Sequence, residues 1–465
     1  MWFFINFVFL FTLTLFTIYV LLGYFSIKKL RIHTKKTSYT DFNIVATSPF
    51  SPSVSIIVPA YNECTNIINN VKTLLNLYYR NFEVIIVNDG STDDTFKLLR
   101  DYFQLVKVNY FFDYRLPCKK IKGVYKSKNL SYDKLTVIDK GNGRKADSLN
   151  AGINISKNNL IITIDADSII EPDSITRLVK PFLEETDKKV IGTGGVIRIL
   201  NSCKVEDGRI TEINLPKKIL PKWQVLEYTR AFLLGRMAWS QLDGLMIISG
   251  AMGMFDRETL INAGGYDTNE IGEDIEMVVR MRRYMAEKKE KYVVTYIPDP
   301  LCWTEVPSDF KSLSSQRTRW TRGLTSTLKK HNVMFFNRIY GRLGTMGYPF
   351  WLFFEWLAPL IAFLGIIFTI FLGIFGAINW KFFFLLYAFI YSFAIFMSAL
   401  AVLFEELTFH KYKRKRDVLK LIGISFIEPF FYPMIAWFAV KGNFQHLRGK
   451  KGWGTIIKKG SNNKK

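Results

Sequence analysis

The sequence predicts an α/β protein with membrane-spanning helices at both ends. Two patterns carry that expectation. Between about Ser51 and Phe336, short β-branched runs alternate with helical stretches, the order that builds a mostly parallel sheet. On either side lie apolar stretches long enough to cross a bilayer. The composition agrees: 465 residues, 49% hydrophobic and 15% aromatic with 40 Phe, carry a formal net charge of +23. A disordered tail would be poorer in apolar residues. A plain nucleic-acid binder has no need of so many Phe. The length suggests about two to three domains.

The elements follow in order. Trp2 to Phe25 contain no charged side chain, and Lys28, Lys29 and Arg31 follow at once. A cleaved signal peptide would carry its charge before the apolar run. Here the charge comes after, so residues 1–27 read as a membrane helix and the chain then enters the cytoplasm. Residues 28–50 form a cytosolic linker, and residues 51–336 a soluble catalytic-sized domain.

Val54 to Pro59 is a β-branched strand, followed by Tyr61-Asn62-Glu63, with Asn62 placed to cap a helix through about Leu77. Phe82 to Val87 is a second strand, ending in the turn residues Asn88 to Asp93, and a helix follows to Tyr102. Leu135 to Ile138 and Leu160 to Ile164 are two more strands. The first leads through Gly141-Asn142-Gly143 into a helix from about Lys145. The second ends at Asp165-Ala166-Asp167. In such sheets ligands bind at the carboxyl ends of strands, where Asp89, Asp165 and Asp167 all fall. The connection over residues 201–243 includes an aromatic, helix-like run through Trp239 and reads by default as a surface loop.

Beyond the domain, residues 337–441 read as interfacial and transmembrane helices. Trp351 to Gly376 is apolar except for Glu355, and Trp380 to Phe404 except for Lys381. The third stretch, Val418 to Val440, holds Glu428-Pro429 mid-run. Such a residue inside a membrane segment must face protein or water. Whether this stretch spans or is re-entrant stays open, because the basic tail after it, residues 442–465, favours the cytoplasmic side. The four cysteines have no metal-type spacing and read as free thiols.

Four groups of residues carry chemistry. Two carboxylates two residues apart, Asp165 and Asp167, suit Mg²⁺ or Mn²⁺ completed by substrate phosphates, or form a solvated turn. Gly143-Arg144-Lys145 opens a helix and offers N–H groups and cations to an anion, or is an ordinary helix start. Glu273-Asp274 opens another helix, as dipole-complementing acids or as a base that takes a proton from a hydroxyl. Gln316, Arg319 and Trp320 share one helical face, suited to a sugar and a phosphate or to a membrane interface.

In this order, Pro59-Ala60-Tyr61-Asn62-Glu63, Asn88-Asp89-Gly90-Ser91, Gly143 to Asn150, Asp165-Ala166-Asp167, Ser249-Gly250-Ala251, Gly272-Glu273-Asp274 and Gln316-Arg317-Thr318-Arg319-Trp320 resemble family-2 glycosyltransferases. The resemblance is to the membrane-integrated processive members: cellulose, hyaluronan and poly-N-acetylglucosamine synthases. It implies a GT-A, Rossmann-like fold facing the cytoplasm of a multi-pass plasma-membrane protein. It implies a UDP-sugar donor, a growing polysaccharide acceptor and inversion to a β-linkage, with room for accessory export or cell-wall proteins. Tyr61, Glu63, Asp89, Lys145, Asp165 and Arg319 would bind the nucleotide-sugar. Asp165 and Asp167 would hold the metal, with Asp167 the better ligand, and Asp274 would be the general base. Gln316, Trp320, Glu273 and Gly250 would line the acceptor side.

There are departures from the family pattern. Asn88 stands where many members have a second Asp, and Gly272 where a threonine is common. A single N-terminal span is read where many relatives have more, and no cyclic-di-GMP-type regulatory domain is apparent. The second reading is a non-processive transferase moving one sugar to a lipid carrier. The third is a basic membrane-surface or nucleic-acid-binding protein without catalysis. From Lys411 onward, 14 basic residues face 2 acidic ones, so +12 of the charge flanks membrane segments. That placement points to anionic lipid headgroups and away from nucleic acid.

Overall fold

The computed structural model describes residues 2–206, 208–412 and 414–450. Side chains are described from Asn6 onward. Most of the basic tail expected at 442–465 therefore lies outside the described residues. The chain divides into two compact units. One comprises Thr34–Glu212 and Met246–Glu305. The other comprises residues 2–33, Ile213–Leu245 and residues 306–450.

The first unit is built on a sheet. Its strands are β1 (Val54–Ala60), β2 (Phe82–Asn88), β3 (Leu105–Val108), β4 (Ile121–Ser127), β5 (Leu135–Lys140), β6 (Leu160–Ile164), β7 (Ile169–Ile170), β8 (Lys189–Ile199), β9 (Lys204–Glu206), β10 (Arg209–Glu212), β11 (Met252–Asp256) and β12 (Tyr292–Thr304). Ten of them form one sheet in the order β3-β4-β5-β2-β1-β6-β11-β8-β12-β7, and β9 pairs with β10 as a separate hairpin. The expected mostly parallel sheet is in fact mixed. β5, β2, β1 and β6 run parallel, as do β8 and β12, while the other pairings are antiparallel. The added strands β3 and β4 are partly exposed and interrupted by lysines, so they lack the continuous apolar run that marks a strand buried on both faces.

The helix Arg144–Ile155 packs on β1 and β2, and every residue from Ala146 to Ile155 is buried. Gly152 makes that close approach possible: a Cβ there would meet Ile57 Cγ2 at 2.4 Å. The helix expected to begin at Asn62 instead runs Ile67–Leu75. Asn62 lies in the left-handed region at φ 55° and serves as a latch between loops.

In the second unit, Asn6–Thr37, Leu343–Ile374, Trp380–Thr408 and Lys415–Leu447 are each long and apolar enough to cross a membrane. The first begins in this unit and ends in the other. Phe16 stacks on Phe393 with ring centroids 3.7 Å apart. In the last stretch, a 3₁₀ turn at Glu428–Phe431 separates Lys415–Ile427 from Tyr432–Leu447. Glu428 is buried, accepts from Ser398 and pairs with Arg230 Nη1 at 2.5 Å, so it faces protein as its cost in a membrane segment requires.

The connection over 201–243 is not a surface loop. It holds the β9–β10 hairpin and then a helical run: Ile219–Thr229, a π-helical segment Arg230–Arg236, and Met237–Gln241. Trp223, Phe232, Leu234 and Trp239 are all buried. The aromatic content that marked this run pays for burying it.

Gly152→Ala forces a methyl into the packed interface between helix and sheet. Overpacking of this kind costs about 1–3 kcal/mol. A lowered melting temperature of the detergent-solubilised protein is expected, and an unchanged one would show that the helix can move away freely.

Candidate active site

Because β5, β2, β1 and β6 are parallel, their carboxyl ends share one edge. In register, Ala60 lies beside Asn88, and Asn88 beside Asp139. Four loops leave this edge, and each carries one of the expected motifs. The first two are tied together: Ser91 Oγ accepts from Asn62 N at 3.1 Å, and Asn62 Oδ1 accepts from Thr92 N at 2.9 Å. Thr95 Oγ1 accepts from Glu63 N at 2.8 Å. Tyr61 stands 48% exposed at the rim.

Asp89 points inward. It is buried, and Lys140 Nζ lies 2.5 Å from its Oδ1. The same oxygen accepts from Gly143 N and the other from Arg144 N, each at 2.8 Å. The anion held by this helix start is therefore the chain's own carboxylate, where the sequence suggested a ligand anion. Asp89 caps the loop that precedes Lys145. Asn88 Nδ2 donates to Asp139 Oδ1 at 2.7 Å across the β2–β5 pair.

Lys145 joins the remaining motifs. Its Nζ lies 2.5 Å from Asp165 Oδ1 and 3.8 Å from Glu273 Oε1, and it donates to the Gly250 carbonyl at 3.0 Å. Gly250 N donates to Asp274 Oδ2 at 3.2 Å. The structure thus brings Lys145, Asp165, Gly250, Glu273 and Asp274 into one cluster. A cleft beside it is lined further by Leu149, Thr163, Tyr266 and Met277. Burial would lower the Lys145 pKa, but the carboxylates of Asp165 and Glu273 outweigh it and hold it above the ordinary lysine value. Glu273 and Asp274 open the helix Glu273–Glu287, whose buried stripe includes Ile275, Val278 and Val279.

Asp165 and Asp167 are both partly exposed on the turn after β6. Among the described residues, no group of three or more His, Cys, Asp or Glu side chains comes together as a metal site. Two carboxylates with the rest of the shell left to water and phosphate is a common Mg²⁺ arrangement, so the donor chemistry fits a hard divalent cation. Asp165 already spends one oxygen on Lys145. Burial pushes the thiol of nearby Cys302 well up, and the charges of Asp165 and Asp167 add to this. A neutral thiol leaves an oxygen-only set.

Gln316, Arg319 and Trp320 lie on the helix Phe310–Lys330, in the other unit. Trp320 is 42% exposed. Between them Arg317 is buried and forms a bidentate pair with Glu227, at 2.7 and 2.6 Å. Its guanidinium carbon is 4.4 Å from the Trp320 ring centre. Neither Glu227 nor Lys140 was singled out from the sequence. Lys140 ends a strand and Glu227 sits in a run read as loop, so nothing local marked either one.

Residues 55–239 match the model of Glycosyl transferase family 2, and residues 160–399 match that of Glycosyl transferase family group 2. The chain belongs to the family-2 glycosyltransferases. The poly-β-1,6-N-acetyl-D-glucosamine synthase of Staphylococcus epidermidis is 27% identical over 270 residues, 58% of this chain and 54% of that one. The enzyme of the same name from Staphylococcus aureus is 29% identical over 272 residues, with the same coverage of 58% and 54%. The chain spans about half the length of the curated relatives it matches. A mannosyltransferase from Pyrobaculum calidifontis, solved in complex with GDP-Man and Mn²⁺, superimposes with a TM-score of 0.51 at 16% identity. The match covers 94% of this chain and 99% of that one. The likeness agrees with a GT-A type of fold for this glycosyltransferase.

Gly250 tests the geometry of the cluster. A Cβ there would lie 3.0 Å from Asp274 Oδ2 and 3.3 Å from Lys145 Nζ. Gly250→Ala is expected to leave the melting temperature nearly unchanged and to cut glycosyl transfer by about tenfold or more, because small misplacements of reacting groups are costly. Full activity of the variant would show that neither side chain's position matters.

Proposed function

We propose that this glycosyltransferase polymerises a UDP-sugar into a β-linked polysaccharide by an inverting, metal-dependent and processive reaction, and passes the product across the membrane. The observation that carries this reading is the cluster of Lys145, Asp165, Gly250, Glu273 and Asp274 at the carboxyl edge of the parallel strands. It sets a cation against Asp165 and Glu273, beside a cleft lined by Lys145, Glu273 and Asp274. UDP-N-acetylglucosamine is the favoured donor, because the relatives named above are poly-N-acetylglucosamine synthases, and UDP-glucose is the alternative.

In this reading the acceptor hydroxyl oxygen attacks the anomeric carbon, and its proton passes to the Asp274 carboxylate. The bond from that carbon to the diphosphate oxygen breaks, and UDP leaves with the electron pair. No protein nucleophile is required. Lys145 meets the charge that builds on the leaving diphosphate. A divalent cation held by Asp167 and Asp165 would add to that neutralisation. Tyr61 and Glu63 serve the nucleoside end, and Asp89 acts there through the loop it caps. Gln316, Arg319 and Trp320 are assigned to the acceptor and the leaving group. The basic segment from Lys411 to Arg416 supports a cytoplasmic catalytic unit by the positive-inside rule.

The test is direct. The detergent-purified protein is incubated with UDP-N-acetylglucosamine or UDP-glucose and Mg²⁺ or Mn²⁺, and the product is sized. A ladder or high polymer is expected, with release of UDP stopped by EDTA and restored by excess Mn²⁺. A single glycolipid would leave the transferase in place but end the processive reading.

Asp274→Asn is expected to lower UDP release by about 10²–10⁴-fold, the range for loss of a general base, with expression intact. Activity within twofold of the wild type would remove Asp274 from that role.

A further inference from the structure

We propose that Lys140 is a positioning residue for donor binding, acting through the loop that presents Lys145. This rests on the glycosyltransferase reading above and deepens it. Lys140 closes β5 with its side chain fully enclosed at 0% exposure. Its ammonium lies 2.5 Å from Asp89 Oδ1 and 2.6 Å from Asp147 Oδ1. It also donates to the Gly141 carbonyl at 2.9 Å.

Each aspartate holds backbone in turn. Asp89 takes the N–H groups of Gly143 and Arg144, and its own carbonyl accepts from Asn142 Nδ2 at 2.9 Å. Asp147 Oδ2 accepts from Lys119 N at 2.9 Å. One buried cation therefore ties the end of β2, the end of β5, the loop at 141–143 and the first turn of the helix Arg144–Ile155.

The loop needs such a tie. Arg144 sits in the left-handed region at φ 72°, which an L side chain adopts only against a steric cost. Gly143 has no room for a side chain, since a Cβ there would lie 2.3 Å from Asp147 Cγ. Gly90 across the way is at φ 65°, and a Cβ there would lie 2.8 Å from Asn142 N. Lys145 is the next residue after Arg144. Its ammonium reaches Asp165 from this loop conformation. The Lys140 side chain is fully enclosed, so it acts through the loop, on nucleotide affinity and on the placement of Lys145.

The experiment uses the full-length protein in detergent with UDP as the probe and the UDP-sugar as substrate. Lys140→Met and Asp147→Asn are compared with the wild type by titration calorimetry, steady-state kinetics and thermal melting. Asp147→Asn removes one charge from a buried trio with a net charge of −1, so it keeps the fold even if Lys140→Met does not. The expected result is a rise in the Kd for UDP of about tenfold for Lys140→Met and about threefold or more for Asp147→Asn, with kcat/KM falling by at least the same factors because Lys145 also meets the charge on the leaving diphosphate. A merely structural role would move melting and leave UDP affinity in the folded variant untouched; that result overturns the proposal. Wild-type protein that binds UDP but turns over no UDP-sugar would sink the functional reading, and the UDP affinities would still decide the role of Lys140.

Discussion

The candidate site depends on four strands running the same way. β5, β2, β1 and β6 end at one edge, and their loops can meet only there. A slip of one residue between β1 and β2 would turn every side chain of one strand to the opposite face. The latch between Asn62 and Thr92 sits at the end of that pairing and fixes the two loops to each other. The antiparallel strand β11 completes the edge from the other direction. Met252, at its start, pairs with Ile164, at the end of β6, and Asp165 N donates to the Ala251 carbonyl. This is why Gly250 and Asp165, 85 residues apart, come to the same lysine.

Two lysines organise that edge, and their surroundings give them different work. Lys140 is fully enclosed between two aspartates. Removing one partner of such a buried pair leaves an uncompensated charge, commonly at a cost of about 3–5 kcal/mol. That makes Lys140 a fixed joint. Lys145 is 17% exposed, and its partner Asp165 is 33% exposed. Solvent and phosphate can compete for both, so this pair can open for a ligand without stranding a buried ion. The same contrast separates Asp89, whose two oxygens are engaged inside the fold, from Asp165 and Asp167, which remain partly exposed.

The legible parts of this molecule were those with local signals. Leu160 to Ile164 is a continuous β-branched run because it is buried on both faces, and its end marks Asp165 and Asp167. The shared face of Gln316, Arg319 and Trp320 also follows from helical spacing, on the helix Phe310–Lys330. The parts that could not be read depend on distant partners. Glu227 lies 90 residues from the Arg317 it neutralises, and Lys140 lies 51 residues from Asp89. Asn62 has a good capping side chain, yet its left-handed backbone is set by Ser91 and Thr92 from another loop. Trp223, Phe232 and Trp239 do signal burial, but a run of that kind without alternating strands could equally be taken for a loop with scattered aromatics.

The departure at Asn88 fits the same electrostatic logic. Its amide donates to Asp139 at 2.7 Å. A carboxylate at 88 would bring two negative charges together at that distance. The nearest cation to Asp139 is Lys122 at 3.9 Å, on a 57% exposed side chain that solvent screens. With an amide at 88, the end of β2 offers one charge, Asp89, and Lys140 answers it. Partly exposed negative charge at the edge then lies at Asp165, Asp167 and Asp274. A nucleoside diphosphate carries its own negative charge, so it approaches most easily over loops whose carboxylates are already answered. On this edge the Asp89 carboxylate after β2 is answered by Lys140 and by the N–H groups of Gly143 and Arg144.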